Sequence, residues 1–220
     1  MRIPPLPHDW DLTSQAAVEL QKTLRARVET RDCVGRVTHV AGVDVGFVEG
    51  GATARAAAVV LEYPALQLCD QALARAPVTF PYRPGLLSFR EIPVVLQALE
   101  KLQRVPDLIL CDGQGIAHPR RFGIACHLGV LLDMPTIGVA KTRLVGRHDA
   151  VPEARGAWTG LYDGDELIGA VLRTRVGVKP LYISIGHRIS LERAVEYVMS
   201  CVTRYRLPET TRAAHRLASG

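Results

Sequence analysis

The stretch VAGVDVGF, residues 40–47, decides how the rest of the chain is interpreted. Its residues alternate with the two-residue period of a β-strand. One face carries Val43, Val45 and Phe47, whereas the other carries Gly42, Asp44 and Gly46. A carboxylate on a buried strand is unfavourable without a cation, a hydrogen-bonding partner or a shifted pKa, so Asp44 is a candidate functional residue. An aspartate tied to backbone amides at a β-bulge is the alternative.

The segments next to this strand predict an antiparallel meander. The first strand is expected over 37–47 and the second over 53–63, with a hairpin turn at Glu49-Gly50-Gly51 between them. A third strand over 66–74 follows another tight turn at Pro64. Three antiparallel strands are the simplest arrangement of these segments.

The remaining chain alternates between helical and strand-like patterns. Apolar spacing predicts helices over 13–27, 88–102, 122–132 and 190–205, and a short helix after Pro208. Apolar runs predict strands over 107–111, 136–140 and 181–184, with a hairpin about Asp163-Gly164-Asp165. Successive strand–helix–strand units imply parallel neighbours with right-handed crossovers. The expected fold is α/β, one domain over 1–220, whose mixed sheet has three antiparallel strands, then parallel strands, and is flanked by helices.

Composition narrows the function classes. The 220 residues are 48% hydrophobic and 22% charged, and contain no apolar run near the roughly 20 residues that span a bilayer. Without a secretion signal, a cytoplasmic protein that does not enter a membrane is expected. The five cysteines are scattered without CxxC spacing, which argues against a zinc ribbon or a disulfide framework.

The charge balance favours a polyanionic partner. The net charge is +5, and basic side chains contact phosphates with release of counterions. Many of these side chains lie near the motifs described below: Arg83, Arg90, Arg120, Arg121, Lys141, Arg143 and Arg147.

Two more carboxylates are candidates. Asp112 ends an apolar run, and ligands gather at the carboxyl ends of strands in open α/β sheets, although a turn aspartate is equally compatible. Glu91 follows Ser88 at capping-box spacing, but Pro93 suggests a helix start near Ile92, which would release Glu91 from a capping role. Two strand carboxylates and one from a helix start would together suit Mg²⁺.

Histidines and one lysine could complete phosphate chemistry. Lys141 directly follows the expected strand 136–140, where a cation could meet a scissile phosphate. Four histidines could act as bases or water ligands, although each is individually more often structural: His118, His127, His187 and His215.

Six sequence blocks give the chain a recognisable signature. They are VAGVDVGF (40–47), PYRPGLLSFRE (81–91), CDGQGIAHPRR (111–121), PTIGVAK (135–141), GHRIS (186–190) and RLPETTR (206–212). In this order they resemble the endonuclease V family over nearly the whole chain. The resemblance implies a fold similar to ribonuclease H, in agreement with the expected strand order.

The resemblance also implies roles for the candidates. Asp44 and Asp112 would ligate a catalytic Mg²⁺, for which Mn²⁺ would substitute, and Glu91 would complete the acidic site. Lys141 would contact the scissile phosphate, and His215 would lie near the attacking water.

The family cuts at the second phosphodiester bond 3′ to a deaminated base, chiefly deoxyinosine. Tyr82 would be a wedge that fills the gap left by the extruded base. Arg90 would contact DNA, and backbone around four residues would line the base pocket: Leu87, Gly113, Ile124 and Leu144. The expected partner is single- or double-stranded DNA with deaminated bases, bound by a monomer. Alternatives are a ribonuclease for inosine-containing RNA, another ribonuclease H-like structure-specific nuclease, and a non-catalytic binding module.

Three positions depart from the family pattern. Arg83 replaces a small aliphatic residue, and Gln114 stands where His or Asn is usual. His215 lies close to Gly220, so we expect a frayed last turn that holds this histidine loosely.

Overall fold

A computed structural model describes residues 1–220 and contains one eight-stranded sheet and five α-helices. The strands are β1 His39–Val48, β2 Thr53–Glu62, β3 Leu68–Pro77, β4 Leu108–Cys111, β5 Thr136–Ala140, β6 Trp158–Asp163, β7 Glu166–Leu172 and β8 Leu181–His187. The helices are α1 Ser14–Arg25, α2 Leu87–Glu100, α3 Ile124–Leu132, α4 Leu191–Ser200 and α5 Glu209–Ser219. A 3-10 turn, Glu49–Gly51, joins β1 to β2.

The sheet has the mixed topology that the sequence predicts. Its strand order is β3-β2-β1-β4-β5-β8-β7-β6. The first three strands form an antiparallel meander, whereas β1, β4 and β5 are mutually parallel. Strands β8, β7 and β6 extend the other edge in antiparallel pairs, including the hairpin about Gly164. The predicted fold class is therefore confirmed.

Helices cover both faces of the sheet. Because side chains alternate along β1, Val40 packs into the core beneath α4 and α5, while Ala41 and Val43 pack beneath α2 and α3. Helix α1 packs against α3 through Leu24, which lies in one apolar cluster with Cys126 and Val130. The central strands are thereby buried on both faces, as their continuous apolar runs predict.

Local signals place several helix starts correctly. Thr13 caps α1, with its hydroxyl oxygen accepting from the amide of Ala16 at 3.2 Å, and Ser190 caps α4 in the same way. Helix α4 ends at Ser200, five residues earlier than predicted. None of the helices combines the length and the apolar character needed to cross a membrane.

Helix α2 differs from both sequence interpretations of its start. It begins at Leu87 after Leu86, whose side chain makes no capping bond, and it continues through Pro93. Neither the capping box at Ser88 nor a start near Ile92 is correct. A long buried stripe on α2 fixes the helix against the sheet in spite of the internal proline. Glu91 consequently lies within the helix and faces the protein interior.

Candidate active site

The two strand aspartates lie side by side. The parallel register of β1 and β4 pairs Val43 with Cys111, so the following residues, Asp44 and Asp112, are neighbours across the ladder. The amide of Asp112 donates to the carbonyl of Val43 at 3.5 Å. The fold therefore brings these two predicted residues together near the carboxyl ends of adjacent strands.

Lys141 joins this pair from the next parallel strand. It directly follows β5, and its Nζ forms an ion pair with Oδ2 of Asp112. The ends of three neighbouring parallel strands thus supply two carboxylates and one ammonium group. This agrees with the predicted placement of Lys141 directly after β5 and brings its ammonium group to Asp112.

His215 reaches the cluster from helix α5. Its Nδ1 lies 2.7 Å from Oδ2 of Asp44. This contact contradicts the expected fraying, since His215 lies in the middle of α5 rather than in a loose last turn. The alternative interpretation of Asp44, an aspartate tied to backbone amides at a β-bulge, does not apply, because its carboxylate is bound by the imidazole of His215.

Glu91 completes the acidic cluster from helix α2. It is only 9% exposed, and its carboxylate makes no hydrogen bond within the protein. Burial raises the pKa of Glu91 to about 8, with further contributions from the charges of Asp44 and Asp112. Burial also raises the pKa of Asp44, as does Asp112, against the opposing effect of His215. The three carboxylates therefore repel one another in a poorly solvated place.

This donor set fits a hard cation. No group of three or more His, Cys, Asp or Glu side chains is already arranged as a set of metal ligands, and Lys141 and His215 each contact one of the carboxylates. Burial, followed by the charges of Asp44 and Asp112, raises the pKa of Glu91, and a divalent cation would favour its ionised form. Oxygen donors of this type are those preferred by Mg²⁺.

A cavity of about 350 Å³ opens beside the cluster. Asp112 and Lys141 belong to its wall, which places the cavity next to the charged groups. All the predicted wedge and pocket residues line it: Tyr82, Leu87, Gly113, Ile124 and Leu144. Tyr82 is 67% exposed at its rim. Arg90 does not line the cavity, because its guanidinium packs over the ring of Phe47 at 4.4 Å.

Three hydrogen bonds to a single carbonyl group hold one wall of the cavity in place. The oxygen of Gly85 accepts from Nε2 of Gln21 at 3.0 Å, from Nε2 of His118 at 3.0 Å and from a guanidinium nitrogen of Arg120 at 2.7 Å. Burial, followed by the charge of Arg120, lowers the pKa of His118 to about 4. These donors hold the segment that carries Tyr82.

Gln21, His118 and Arg120 together form a clamp on the carbonyl of Gly85. Sequence reasoning missed the contribution of Gln21 to this clamp. A signal was present, because Ala17, Gln21 and Leu24 have helical spacing and are all buried, which places an amide on an otherwise apolar stripe. The amide also donates to the carbonyl of Phe122 at 3.0 Å.

Two further candidate histidines, like His118, lie outside the acidic cluster. His187 accepts from the amide of Glu29 at 3.1 Å and pairs with Asp133 at 3.3 Å. His127 is buried against Phe89 and Phe122. The five cysteines are free, and two of them, Cys33 and Cys69, are exposed, so only the other three behave as core residues.

Clustered carboxylates beside a lysine, next to a cavity, are typical of enzymes that cleave phosphodiester bonds. Comparison with known proteins specifies this class. A model of the Endonuclease V family matches residues 22–216. An Endonuclease V of Trichormus variabilis is 59% identical over 214 residues, which are 97% of each chain.

Solved structures agree with this result. The crystal structure of Endonuclease V from Streptomyces avermitilis has a TM-score of 0.92 at 44% identity, and the match covers 97% of this chain and 95% of that one. Ciona intestinalis Endonuclease V, crystallised with DNA containing an inosine followed by a ribo-adenosine, has a TM-score of 0.81 at 29% identity over 92% and 94% of the two chains. The chain belongs to the Endonuclease V family, and is thus a nuclease by family.

Proposed function

We propose that the protein is a Mg²⁺-dependent repair endonuclease that recognises deaminated bases in DNA, chiefly deoxyinosine. It hydrolyses the second phosphodiester bond on the 3′ side of the lesion. One observation carries the proposal: the carboxylates of Asp44, Glu91 and Asp112 meet beside a cavity that Tyr82 borders. The family match and the inosine-containing complex of the Ciona relative support it.

The side chains have separate tasks in this reaction. Asp44 and Asp112 would hold the cation, with Glu91 adding negative charge behind them. When bound, Mg²⁺ supplies a Lewis acid, which Mn²⁺ can replace. The ammonium group of Lys141 neutralises a non-bridging oxygen of the scissile phosphate, for which it exchanges its ion pair with Asp112. His215 fixes the orientation of the Asp44 carboxylate from α5 and stands where a water molecule can approach.

Recognition of the lesion uses the cavity and its rim. A base must leave the duplex to enter the cavity, and the exposed ring of Tyr82 occupies the vacated place in the stack. The cavity volume of about 350 Å³ is in the range of small-molecule sites, which suits a single base. Deaminated bases pair poorly, so extruding them requires less free energy than extruding a normal base.

The net charge of the protein agrees with the proposed nucleic-acid partner. The net charge of +5 favours DNA, whether single- or double-stranded, and Arg90, outside the cavity wall, would contact its backbone after leaving Phe47. We further propose that the protein acts as a monomer in the cytoplasm.

A nicking assay tests the proposal. A duplex with a single deoxyinosine is incubated with the protein and Mg²⁺, and its products are compared with those of a matched deoxyadenosine duplex. Asp44→Asn should lose cleavage by at least about a hundredfold while it retains binding, because the charge that holds the cation is lost. Asp165→Asn, at an exposed hairpin residue, is the matched control and should cut normally. Equal cutting by the two variants would contradict the assigned site.

Inosine-containing RNA is a second candidate substrate. The observation in its favour is the ribo-adenosine that follows the inosine in the complex of the Ciona relative. Phosphate and metal contacts are common to DNA and RNA, whereas a 2′-hydroxyl contact distinguishes them. Matched DNA and RNA strands, each with one inosine, should show a higher kcat/KM for DNA; the opposite order would favour a ribonuclease.

A further inference from the structure

A chain of hydrogen bonds connects the cavity with the N-terminal segment that carries His8 and Asp9. Ser88 lines the cavity, and its Oγ lies 3.0 Å from Nδ1 of His127. Nε2 of His127 lies 2.9 Å from Nε2 of His8. Nδ1 of His8 in turn lies 2.7 Å from the carbonyl oxygen of Asp9. None of these residues takes part in the metal site or in the clamp on Gly85.

When the His8 ring is neutral, the far end of this chain sets the direction of each proton in it. A carbonyl oxygen only accepts, so Nδ1 of His8 carries a proton and donates to Asp9. In the neutral ring, Nε2 of His8 is then an acceptor, and His127 must donate to it from Nε2. Burial holds the pKa of His127 well below its usual range, so this ring has a single proton. Its Nδ1 is therefore an acceptor, and the hydroxyl of Ser88 donates to it.

The hydroxyl of Ser88 is consequently an acceptor toward the cavity. Ser88 is 2% exposed, and His127 is its sole hydrogen-bonding partner. Its one proton points away from the cavity, which leaves only oxygen lone pairs for a base that enters. A ring N–H can donate to these lone pairs. A ring nitrogen without a proton has only a lone pair there. It would face the lone pairs of the Ser88 oxygen and form no hydrogen bond.

Deaminated purines differ from adenine in this respect. Hypoxanthine has a proton on N1, whereas N1 of adenine has a lone pair. We propose that Ser88, oriented by His127 and His8, is a specificity-determining residue that accepts a hydrogen bond from the ring N–H of the deaminated base. This inference rests on the proposed function and adds a side chain to the recognition of the base. His127 and His8 act through Ser88 and are positioning residues.

Cleavage of duplexes that contain two different purines distinguishes this role of Ser88 from a purely structural role. Cleavage is measured with duplexes that contain either deoxyinosine or deoxynebularine, whose purine ring has no proton on N1. Ser88→Ala should lower kcat/KM for deoxyinosine by about tenfold, which corresponds to one lost hydrogen bond, and leave the value for deoxynebularine nearly unchanged. The discrimination between the two bases should thus fall about tenfold.

The orienting histidine gives a second pair of variants. His127→Phe preserves the aromatic packing but removes the acceptor, so the Ser88 hydroxyl becomes free to donate into the cavity and discrimination should fall. His127→Asn places an amide oxygen close to the position of Nδ1 and should restore discrimination in part. A merely structural role would lower cleavage of both bases equally in all three variants.

The two levels of the proposal fail in different ways. Wild-type protein that cuts deoxyinosine no better than the matched deoxyadenosine would overturn the proposed function. Wild-type protein that prefers deoxyinosine to deoxyadenosine but cuts deoxynebularine as well as deoxyinosine would overturn only the inference about Ser88. A wild-type preference that Ser88→Ala and His127→Phe retain in full would overturn the inference about Ser88 alone.

Discussion

Gly42 and Thr210 lie in direct backbone contact, which seats helix α5 on strand β1. A Cβ atom built on Gly42 would lie 2.2 Å from the carbonyl oxygen of Thr210, and one on Gly46 would lie 2.8 Å from that of Ala218. Asp44 lies between the two glycines, as His215 lies between the two contacted helix residues. The glycines of β1 therefore determine the contact between Asp44 and His215.

Gly42→Ala should displace α5 and separate His215 from Asp44. We expect the free energy of unfolding to fall by about 1–3 kcal/mol, because the clash is with backbone and not with a movable side chain. Cleavage should fall by more than the loss of folded protein explains. Nicking assays at a temperature where the variant is folded measure this difference. Gly35→Ala is the control, since a Cβ there meets nothing within 4 Å. Full activity of a folded Gly42→Ala protein would contradict this role of α5.

Glu91→Gln should stabilise the metal-free protein while it abolishes function. Because burial raises the pKa of Glu91 to about 8, the unfolded chain releases this proton at lower pH than the folded protein does. Wild-type stability therefore falls as pH rises from about 4.5 to about 8. In EDTA at pH 7, the variant should gain on the order of 3 kcal/mol, and the gain should vanish near pH 4.5.

Thermal unfolding in EDTA across this pH range measures the effect. Glu100→Gln, at an exposed position of the same helix, is the matched control and should follow the wild type. Added Mg²⁺ should raise the melting temperature of the wild type more than that of Glu91→Gln. A destabilised Glu91→Gln protein would show that this carboxylate contributes to folding rather than to the site.

Local patterns predicted the fold and two of the three carboxylates. The alternation over 40–47 and the apolar run 108–111 placed β1, β4, Asp44 and Asp112 correctly, because strand faces and strand ends depend on neighbouring residues. Glu91 was ambiguous for the opposite reason. Its burial depends on how α2 packs on the sheet, and a capping motif with a nearby proline gave a misleading local signal.

Long-range contacts account for what the sequence did not show. The bond from Gln21 to Gly85 joins residues 64 positions apart, and that from Ser88 to His127 joins residues 39 apart. No local spacing encodes either contact. The order β8-β7-β6 at the edge of the sheet likewise depends on which strand pairs with β5, and no local pattern shows this. The hairpin of β6 and β7 itself was evident from its turn residues.

The clamp on Gly85 should make the protein sensitive to acid. His118 donates to this carbonyl as a neutral ring, and burial lowers its pKa to about 4. Since the unfolded chain binds a proton near pH 6.5, the contribution of His118 is complete above that pH and is lost as pH falls from 6.5 toward 4. The loss should reach at most about 3 kcal/mol. His118→Gln retains a donor for Gly85 and should flatten this part of the stability profile, as chemical denaturation at several pH values would show; an unchanged profile would refute the assignment.

Tyr82 should affect duplex cleavage without affecting folding. Its side chain is 67% exposed, so Tyr82→Ala should change the free energy of unfolding by no more than about 0.5 kcal/mol. Loss of the wedge removes the group that replaces the extruded base in the stack, so cleavage of a deoxyinosine duplex should fall by at least about tenfold. A single strand has no stack of this kind to open, and its cleavage should fall much less. Val176→Ala, 66% exposed and outside the cavity, is the control for both substrates. Equal losses on duplex and single strand would mean that Tyr82 contributes general affinity for nucleic acid rather than stacking at the vacated position.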